Sequence, residues 1–155
     1  MTEATKAILI TGAAQRIGAA MAEHLAARGW AIALHYRESR GAAEQTASVI
    51  NAAGGKAALV QADLAKEDDV RGLVAKSSQA LGLPLTALIN NASAFQYDSA
   101  SSATRSSWDA HMEPNLRAPL VLSQELAAQM PDDARQGAII NMIDQRVWNL
   151  TEHFI

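Results

Sequence analysis

The chain has 155 residues and a formal net charge of -3, from 13 lysines and arginines against 16 acidic residues. Phosphate backbones are bound by clustered cations, and the sequence has no such cluster, so it excludes a nucleic acid as the partner. The absence of cysteine excludes a disulfide framework and a thiolate metal site, and the four histidines lack the close spacing of metal ligands. The stretch MTEATKAILITG is neither a signal peptide nor a membrane span, so we expect no membrane partner and a cytoplasmic protein.

Short apolar runs alternate along the chain with longer segments of helical period. The runs are apolar throughout, whereas a strand with one wet face would alternate apolar and polar residues, so helices are expected to cover both faces of the sheet. Repeated strand and helix predict a doubly wound α/β fold with a parallel sheet, in a single domain over residues 1–155. The predicted strands are 7–11, 31–36, 57–62, 85–90 and 138–143, and the predicted helices are 16–28, 40–53, 67–81 and 105–130.

The stretch TGAAQRIG, residues 11–18, lies where the first predicted strand turns into the first helix. A helix N-terminus at this place points unpaired N–H groups and the positive end of the helix dipole toward a bound phosphate. Gly12 allows the tight turn, and Gly18 allows close packing of the helix on the sheet. Two glycines in a loop are common, but at this boundary they favour a nucleotide site. The kinase-type phosphate loop is excluded, because no Gly-Lys-Ser/Thr follows.

The end of the second strand, in HYRES, indicates which nucleotide is bound. An NAD site has an acid here that accepts the ribose 2′-hydroxyl, whereas Arg37 attracts a 2′-phosphate, so NADPH is favoured. Arg40 and Arg16 add to the positive charge. The alternative is that Arg37 is a solvated arginine after a strand. Asp63, after the third strand, is predicted to accept from the adenine amino group, or else to cap a helix.

The order and spacing of five features resemble the short-chain dehydrogenase/reductase family over essentially the whole chain: TGAAQRIG, Asp63 with Leu64, NNAS at 90–93, Asn115, and a strand that ends at Asp144. The resemblance implies a Rossmann fold that binds NADPH. Within the family the sequence is most similar to pteridine reductases and dihydromonapterin reductases, on three positions. Arg16 replaces the middle glycine of the turn, Phe95 follows NNAS, and Asp144 replaces a serine. The implied cofactor-binding residues are Gly12, Gln15, Arg16, Ile17, Gly18, Tyr36, Arg37, Asp63, Leu64, Asn91, Ala92 and Ser93.

The narrower resemblance also implies which residues contact the substrate, a small pterin-like molecule. Arg16, Phe95 and Asp144 are implied to bind it, because a flat polar bicycle suits one aromatic face and a few hydrogen-bonding groups. Phe95 is implied to stack on the ring, and Asp144 to take part in proton delivery. The alternatives are that Phe95 is an ordinary core residue and that Asp144 is a surface cap or turn residue.

Asn115, in the stretch MEPNLRAPL, is the second implied catalytic residue. Pro119 has no N–H to donate to the Asn115 carbonyl four residues back, and the family uses the matching carbonyl to hold a water in a proton relay. The alternative is a kinked helix, or two helices broken at Pro114. In NNAS, we expect Asn90 and Asn91 to anchor neighbouring strands by side-chain hydrogen bonds.

The tyrosine that serves the family as general acid, with a lysine four residues later, is absent from these residues. Tyr36 and Tyr97 precede the strand that ends at Asp144, and neither has a lysine at the fourth place. The resemblance implies a tyrosine near position 157, beyond Ile155. We therefore interpret the chain as the N-terminal part of a longer reductase, truncated after a fifth strand that is left as an apolar edge. On its own it is expected to bind NADPH weakly and to turn nothing over.

Three functions follow from these features. The favoured one is NADPH-dependent reduction of a dihydropterin-like C=N bond. A short-chain ketone or 3-ketoacyl reductase is the alternative within the family, and a non-catalytic NADP-binding module is the alternative of another class. The family commonly forms tetramers through the long helix that holds Asn115, so the full-length protein is expected to be a homo-oligomer.

Overall fold

The computed structural model describes residues 6–130 and 137–149. Five parallel strands form one sheet in the order β3-β2-β1-β4-β5, which confirms the predicted doubly wound class. No helix of the described part is long and apolar enough to cross a membrane. In chain order the elements are β1 (Ala7–Ile10), α1 (Arg16–Ala26), β2 (Ala31–Tyr36), α2 (Arg40–Ala52), β3 (Lys56–Gln61), α3 (Glu67–Val70), α4 (Leu73–Leu81), β4 (Ala87–Asn90), α5 (Arg105–Met112), a π turn (Glu113–Arg117), α6 (Ala118–Gln129), β5 (Ala138–Asn141) and a 3₁₀ turn (Gln145–Val147).

The core lies on both faces of the sheet, as the apolar strands predict. Every residue of β1, β2 and β4 is buried. On one face Leu9 and Leu88 pack with residues of α4 and α6, and on the other Ile8 and Ile10 pack with residues of α1 and α2. Burial of each such side chain contributes roughly 2 kcal/mol, so the two layers hold the central strands in a fixed register.

The helix predicted over 67–81 is two helices, α3 and α4. Gly72 separates them with a φ of +80°, a left-handed conformation that glycine adopts without steric cost. Its N–H donates to Glu125 Oε1 of α6 at 2.8 Å, so it does not continue a helical ladder. The partner lies 53 residues away in sequence, which is why local periodicity did not indicate this break.

The long helix predicted over 105–130 is continuous but widened in its middle by the π turn. The Ala118 N–H donates to the Glu113 carbonyl, five residues back, and Pro119 has no N–H. The carbonyls of Pro114 and Asn115 therefore both lack the donor that a regular α-helix would supply. The alternative of two helices broken at Pro114 is wrong, because the chain passes this point in one widened turn.

β5 is an edge of the sheet within the described residues. It pairs with β4 along its whole length, but all four of its residues are exposed. Ile139 and Ile140 are 43% and 49% exposed, because neither face of β5 is covered by a helix of the described part. The expectation of a strand covered on both faces is therefore wrong for this structure, whereas the expectation of an apolar edge agrees with it.

Candidate functional site

A cleft of about 850 Å³ opens along the carboxyl ends of the strands. The strand order reverses between β1 and β4, since β2 and β3 lie on one side of this pair and β5 on the other. Doubly wound sheets bind their ligands at such a crevice. The cleft is lined by Gly12, Ala14, Gln15, Arg16, Ile17 and Gly18 after β1, by 35–39 after β2, by 63–65 after β3, by 91–96 after β4, by Ala110 and Pro114 of the long helix, and by Asp144 after β5.

All twelve residues predicted to bind the cofactor line this one cleft, and so do Phe95 and Asp144. They come from the ends of five different strands, which only the parallel topology brings to one edge. Asn115 is the exception, because it does not line the cleft. Among the described residues no group of three or more histidines or acids is placed to hold a metal ion.

The turn after β1 requires glycine at both predicted positions. Gly12 has a φ of +64°, and a Cβ on it would lie 3.0 Å from the Cα of Ala92. A Cβ on Gly18 would collide with the Gly12 carbonyl oxygen and lie 2.8 Å from Asn91 Nδ2. The turn therefore packs directly against the segment that follows β4, without room for a side chain between them.

Arg16, the first residue of α1, has a φ of +51°. Residues with a Cβ rarely adopt this left-handed conformation, which costs them about 1–2 kcal/mol. The preceding residue, Gln15, makes no side-chain cap bond to the helix among the described residues. Within the described residues the N-terminus of α1 thus has no side-chain cap, and the exposed side chain of Arg16 lines the cleft there.

Side-chain hydrogen bonds tie the ends of β1, β4 and β5 together. Thr11 Oγ1 accepts from the N–H groups of Asn91 and Ala92 at 2.9 and 3.0 Å. Asn91 Nδ2 donates back to the carbonyls of Thr11 and Gly12 at 2.9 and 3.1 Å. Asn90 Nδ2 donates to Asn141 Oδ1 at 2.8 Å. The predicted anchoring of neighbouring strands by Asn90 and Asn91 is confirmed.

His35 ties β2 to the same turn, and the sequence reading missed it. Its Nδ1 accepts from the Gly12 N–H at 3.0 Å, and its Nε2 lies 3.1 Å from the Ala62 carbonyl, to which it donates. Burial lowers the pKa of His35 to about 4, against the opposing effects of the Ala62 hydrogen bond and of the Asp63 charge. The imidazole is therefore neutral. The signal was present in AIALHY, because a histidine within a buried apolar strand requires two polar partners.

The end of β2 presents a cation beside a helix N-terminus. The Arg37 side chain is 57% exposed, and its Nε lies 3.4 Å from Glu38 Oε1. Its backbone carbonyl accepts from Gln61 Nε2 at 2.8 Å, so a hydrogen bond holds the main chain at this residue. An exposed pair of this kind holds the guanidinium weakly. Ser39, the residue before α2, makes no side-chain cap bond within the described chain and lines the cleft.

Asp63 serves locally as a turn residue and also lines the cleft. Its Oδ1 accepts from the Ala65 N–H at 3.1 Å, and its Oδ2 lies 3.9 Å from Lys66 Nζ. Its own N–H donates to Asp69 Oδ2 at 2.8 Å. Asp63 does not cap α3, because the residue before that helix is Lys66, which makes no side-chain cap bond within the described chain, so the helix-cap alternative is wrong. The adenine contact stays a prediction.

The two residues predicted to meet the substrate lie at the other end of the cleft. Phe95 is 62% exposed, so the alternative of an ordinary core residue is wrong. Asp144 Oδ1 accepts from the Arg146 N–H at 2.8 Å and thereby caps the 3₁₀ turn. Asp144 is therefore a cap residue, as the alternative predicted, and it also lines the cleft. Both positions are open to a ligand, and their roles in binding and proton delivery stay predictions.

Two side chains of the long helix hold the segment that carries Phe95. Asn115 Oδ1 accepts from the Ala94 N–H at 2.8 Å, and Asn115 Nδ2 donates to the Ala94 carbonyl at 2.8 Å. His111 Nε2 accepts from the Gln96 N–H at 2.9 Å. The sequence predicted a role for the backbone carbonyl of Asn115 but none for its side chain. It predicted no role for His111 beyond excluding it as a metal ligand. Neither side-chain contact has a local signal, because the partners are 21 and 15 residues away.

Comparisons with known proteins agree with this geometry. The model of the short chain dehydrogenase family matches residues 6–145. An uncharacterized oxidoreductase of Methylorubrum extorquens is 33% identical over 137 residues, which are 88% of this chain and 54% of that protein. The 3-oxoacyl-[acyl-carrier-protein] reductase FabG of Staphylococcus aureus is 32% identical over 138 residues, 89% of this chain and 55% of that protein. The chain thus spans about half the length of the curated relatives it matches.

A solved structure extends the likeness over nearly the whole chain. The FolM alternative dihydrofolate reductase 1 from Brucella suis, in complex with NADP, has 40% sequence identity and a TM-score of 0.91. The match covers 99% of this chain and 63% of that one. The likeness to this structure therefore extends to the sequence as well as to the fold.

The strained backbone of Arg16 predicts an order of stability between two variants. Arg16→Gly and Arg16→Ala both lose the guanidinium, but only glycine removes the left-handed strain. We expect Arg16→Gly to have a free energy of unfolding about 1 kcal/mol larger than that of Arg16→Ala, measured by urea unfolding. An alanine variant as stable as the glycine variant would show that position 16 carries no strain.

The buried neutral His35 predicts a loss of stability in acid. Its pKa is about 4 in the folded chain and near 6.5 in the unfolded chain, so between these values only the unfolded state binds the proton. The free energy of unfolding should fall by up to roughly 3 kcal/mol as the pH drops from above 6.5 to near 4. Urea unfolding across this range should give a smaller drop for His35→Gln. The exposed control His24→Gln should keep the wild-type drop, and equal drops in all three proteins would contradict the account.

Proposed function

We propose that this chain, which belongs to the short-chain dehydrogenase family, forms the NADPH-binding part of a reductase that acts on a pterin-like C=N bond. The proposal rests on the residues that line one cleft. Arg16, Phe95 and Asp144 line it together with the turn at 12–18, and these three positions carry the resemblance to pteridine reductases. The FolM protein from Brucella suis, which is named a dihydrofolate reductase and was crystallised with NADP, supports the same substrate class.

The residues of the cleft fit a dinucleotide that carries a 2′-phosphate. Gly12 and Gly18 let the turn pack against the segment after β4 with no Cβ between them, and the N-terminus of α1 beside it lacks a side-chain cap within the described residues. A pyrophosphate would be held there by N–H groups and by the helix dipole. Arg37 and Ser39 at the end of β2 suit a phosphate on the ribose, since a guanidinium and a hydroxyl both donate hydrogen bonds.

The chemistry is divided between the cofactor and the chain. The nicotinamide of NADPH, when bound, supplies a hydride. Phe95 offers an exposed aromatic face on which a flat ring can stack, and Asp144 offers a carboxyl group that can hold a proton near the reacting bond. The Asn115 carbonyl, which lacks its helical donor, is proposed to hold a water for that proton's path. The general-acid tyrosine of the family and the lysine four residues after it are not among the 155 residues.

Reduction of a ketone or of a 3-oxoacyl group is the second candidate. The relative from Staphylococcus aureus, which is named a 3-oxoacyl-[acyl-carrier-protein] reductase, favours it. Asp144 weighs against it, because most ketone reductases of the family have a serine at that place. The candidate of another class is a non-catalytic NADP-binding module, which tight NADPH binding without turnover by the purified protein would support.

We also propose that the full-length protein is a cytoplasmic homo-oligomer, a tetramer in the pattern of the family. The long helix supports this proposal, because it exposes Trp108, Leu116 and Leu120 at 49%, 60% and 54%. Exposed apolar side chains on one element are typical of protein interfaces. Sedimentation of the purified protein measures the assembly directly.

Arg37 predicts a preference for NADPH over NADH that one substitution removes. Arg37→Ala should weaken NADPH binding about 10- to 100-fold, since a charge-assisted hydrogen bond to the phosphate is lost, and should leave NADH binding nearly unchanged. Fluorescence titration with both cofactors measures the ratio. The control is Arg28→Ala, which removes an exposed arginine at the far end of α1 and should leave the ratio as in the wild type. Equal weakening of NADPH and NADH by Arg37→Ala would contradict a contact with the 2′-phosphate.

Phe95 predicts a loss that is specific to flat substrates. Phe95→Ala should weaken the binding of dihydrobiopterin about tenfold or more, because the stacking of the phenyl ring on the pterin ring is lost. NADPH binding should be kept. A simple ketone should be affected little. The matched control is Tyr97→Ala, since Tyr97 is an aromatic residue with 71% exposure that does not line the cleft. If the phenylalanine and tyrosine variants bind dihydrobiopterin equally well, Phe95 does not stack on it.

A further inference from the structure

Phe95 lies between two residues that are both fastened to the same helix. Ala94 before it is held at both backbone polar groups by the Asn115 side chain, at 2.8 Å each. Gln96 after it donates its N–H to His111 Nε2 at 2.9 Å. His111 and Asn115 are four residues apart, so their side chains project from one side of the helix. An exposed aromatic side chain at the mouth of the cleft is thus carried on a backbone that is fixed on each side.

The His111 contact requires a defined state of the imidazole. Nε2 can accept from the Gln96 N–H only when it carries no proton, so the neutral ring has its proton on Nδ1. The Asp98 carboxylate lies on that side, with Oδ2 at 3.8 Å from Nδ1. Both residues are buried, at 7% and 5% exposure. A buried carboxylate facing Nδ1 favours the tautomer that leaves Nε2 free to accept.

We infer that His111 is a positioning residue that fixes Phe95 at the mouth of the cleft through the Gln96 backbone, and that it thereby sets the affinity for flat ring substrates. The identity of the ligand in this inference rests on the proposed function. The role of His111 in holding the backbone rests only on the hydrogen bonds. Loss of the His111 acceptor would remove the hydrogen bond to Gln96, while Asn115 still holds Ala94. Phe95 would then sample several orientations, and a stacked ligand would have to fix one of them.

The first experiment needs no ligand. Amide hydrogen exchange at Gln96, followed by NMR, should be slow in the wild type and at least about tenfold faster in His111→Leu, which keeps apolar bulk but removes the acceptor. His111→Gln should restore slow exchange, since its amide oxygen reaches the place of Nε2. Long-range 1H–15N spectra should show the proton of His111 on Nδ1. Unchanged exchange at Gln96 in a folded His111→Leu variant would overturn the inference, whatever the substrate is.

The second experiment tests the link to Phe95 by a double-mutant cycle. His111→Leu should weaken dihydrobiopterin binding about tenfold and keep NADPH binding, and His111→Gln should recover most of that loss. In a Phe95→Ala background the His111→Leu substitution should have no further effect on dihydrobiopterin. Additive losses in the double variant would overturn the inference. If wild-type protein fails to bind any pterin, the proposed substrate class fails, while the exchange experiment still decides the role of His111.

If His111→Leu does not fold, the same two measurements are made on His111→Gln, which keeps a hydrogen-bond acceptor at this position. Its Gln96 exchange rate and its dihydrobiopterin affinity should both remain within about threefold of the wild type, because the acceptor is kept. Fast Gln96 exchange in this variant with wild-type pterin affinity would overturn the inference. The surface variant His24→Leu controls for the loss of any histidine, and it should change neither measurement.

Discussion

The fold of the site depends on the hydrogen bonds that converge on the turn after β1. The Gly12 N–H donates to His35 of β2, and the Gly12 carbonyl accepts from Asn91 after β4. The Thr11 hydroxyl adds two bonds to the same segment after β4. The turn is thus fixed from both neighbouring strands, and the position of α1 follows from it. A phosphate-binding turn has to be rigid before the ligand arrives, because its N–H groups act only when they point to one place.

Hydrogen bonds also hold the end of the cleft that Phe95 lines, and there they come from the long helix instead of the strands. The π turn at 113–117 changes the phase of that helix and leaves carbonyls without their regular donors. Two side chains near this turn, His111 and Asn115, bond the backbone on either side of Phe95. Irregular helical turns recur at functional sites, since they aim groups that a regular helix would use internally. The cleft is therefore formed by strand ends whose loops are held by hydrogen bonds from polar side chains of neighbouring elements.

The sequence predicted the fold well because the fold is set by local and repetitive signals. Apolar strands without alternation required helices on both faces, and the glycines of TGAAQRIG marked the first turn. The predicted strand and helix ends lie within about two residues of the observed ones, except where α3 and α4 divide. The predicted cofactor residues, Phe95 and Asp144 gather in one cleft because each follows a strand of one parallel sheet.

What the sequence did not predict depends on partners that are distant along the chain. Gly72 breaks a helix because its N–H bonds Glu125, and β5 is exposed because no described helix covers it. His35 is neutral because burial disfavours its charged form, and the Gly12 N–H and the Ala62 carbonyl provide hydrogen-bond partners for its two nitrogens inside the core. His111 contacts Gln96 only once the loop after β4 has folded onto α5. Periodicity and turn chemistry report none of these contacts, because each joins segments that lie far apart in sequence.

The central claim is that the cleft at the reversal of strand order holds NADPH. A crystal structure of the protein with NADPH tests it most directly. We expect the pyrophosphate to lie over the turn at 12–18 and the 2′-phosphate to lie at ion-pair distance from Arg37. The nicotinamide should lie toward Phe95 and Asp144. A nucleotide bound elsewhere, or one in this cleft with its 2′-phosphate away from Arg37, would contradict the account.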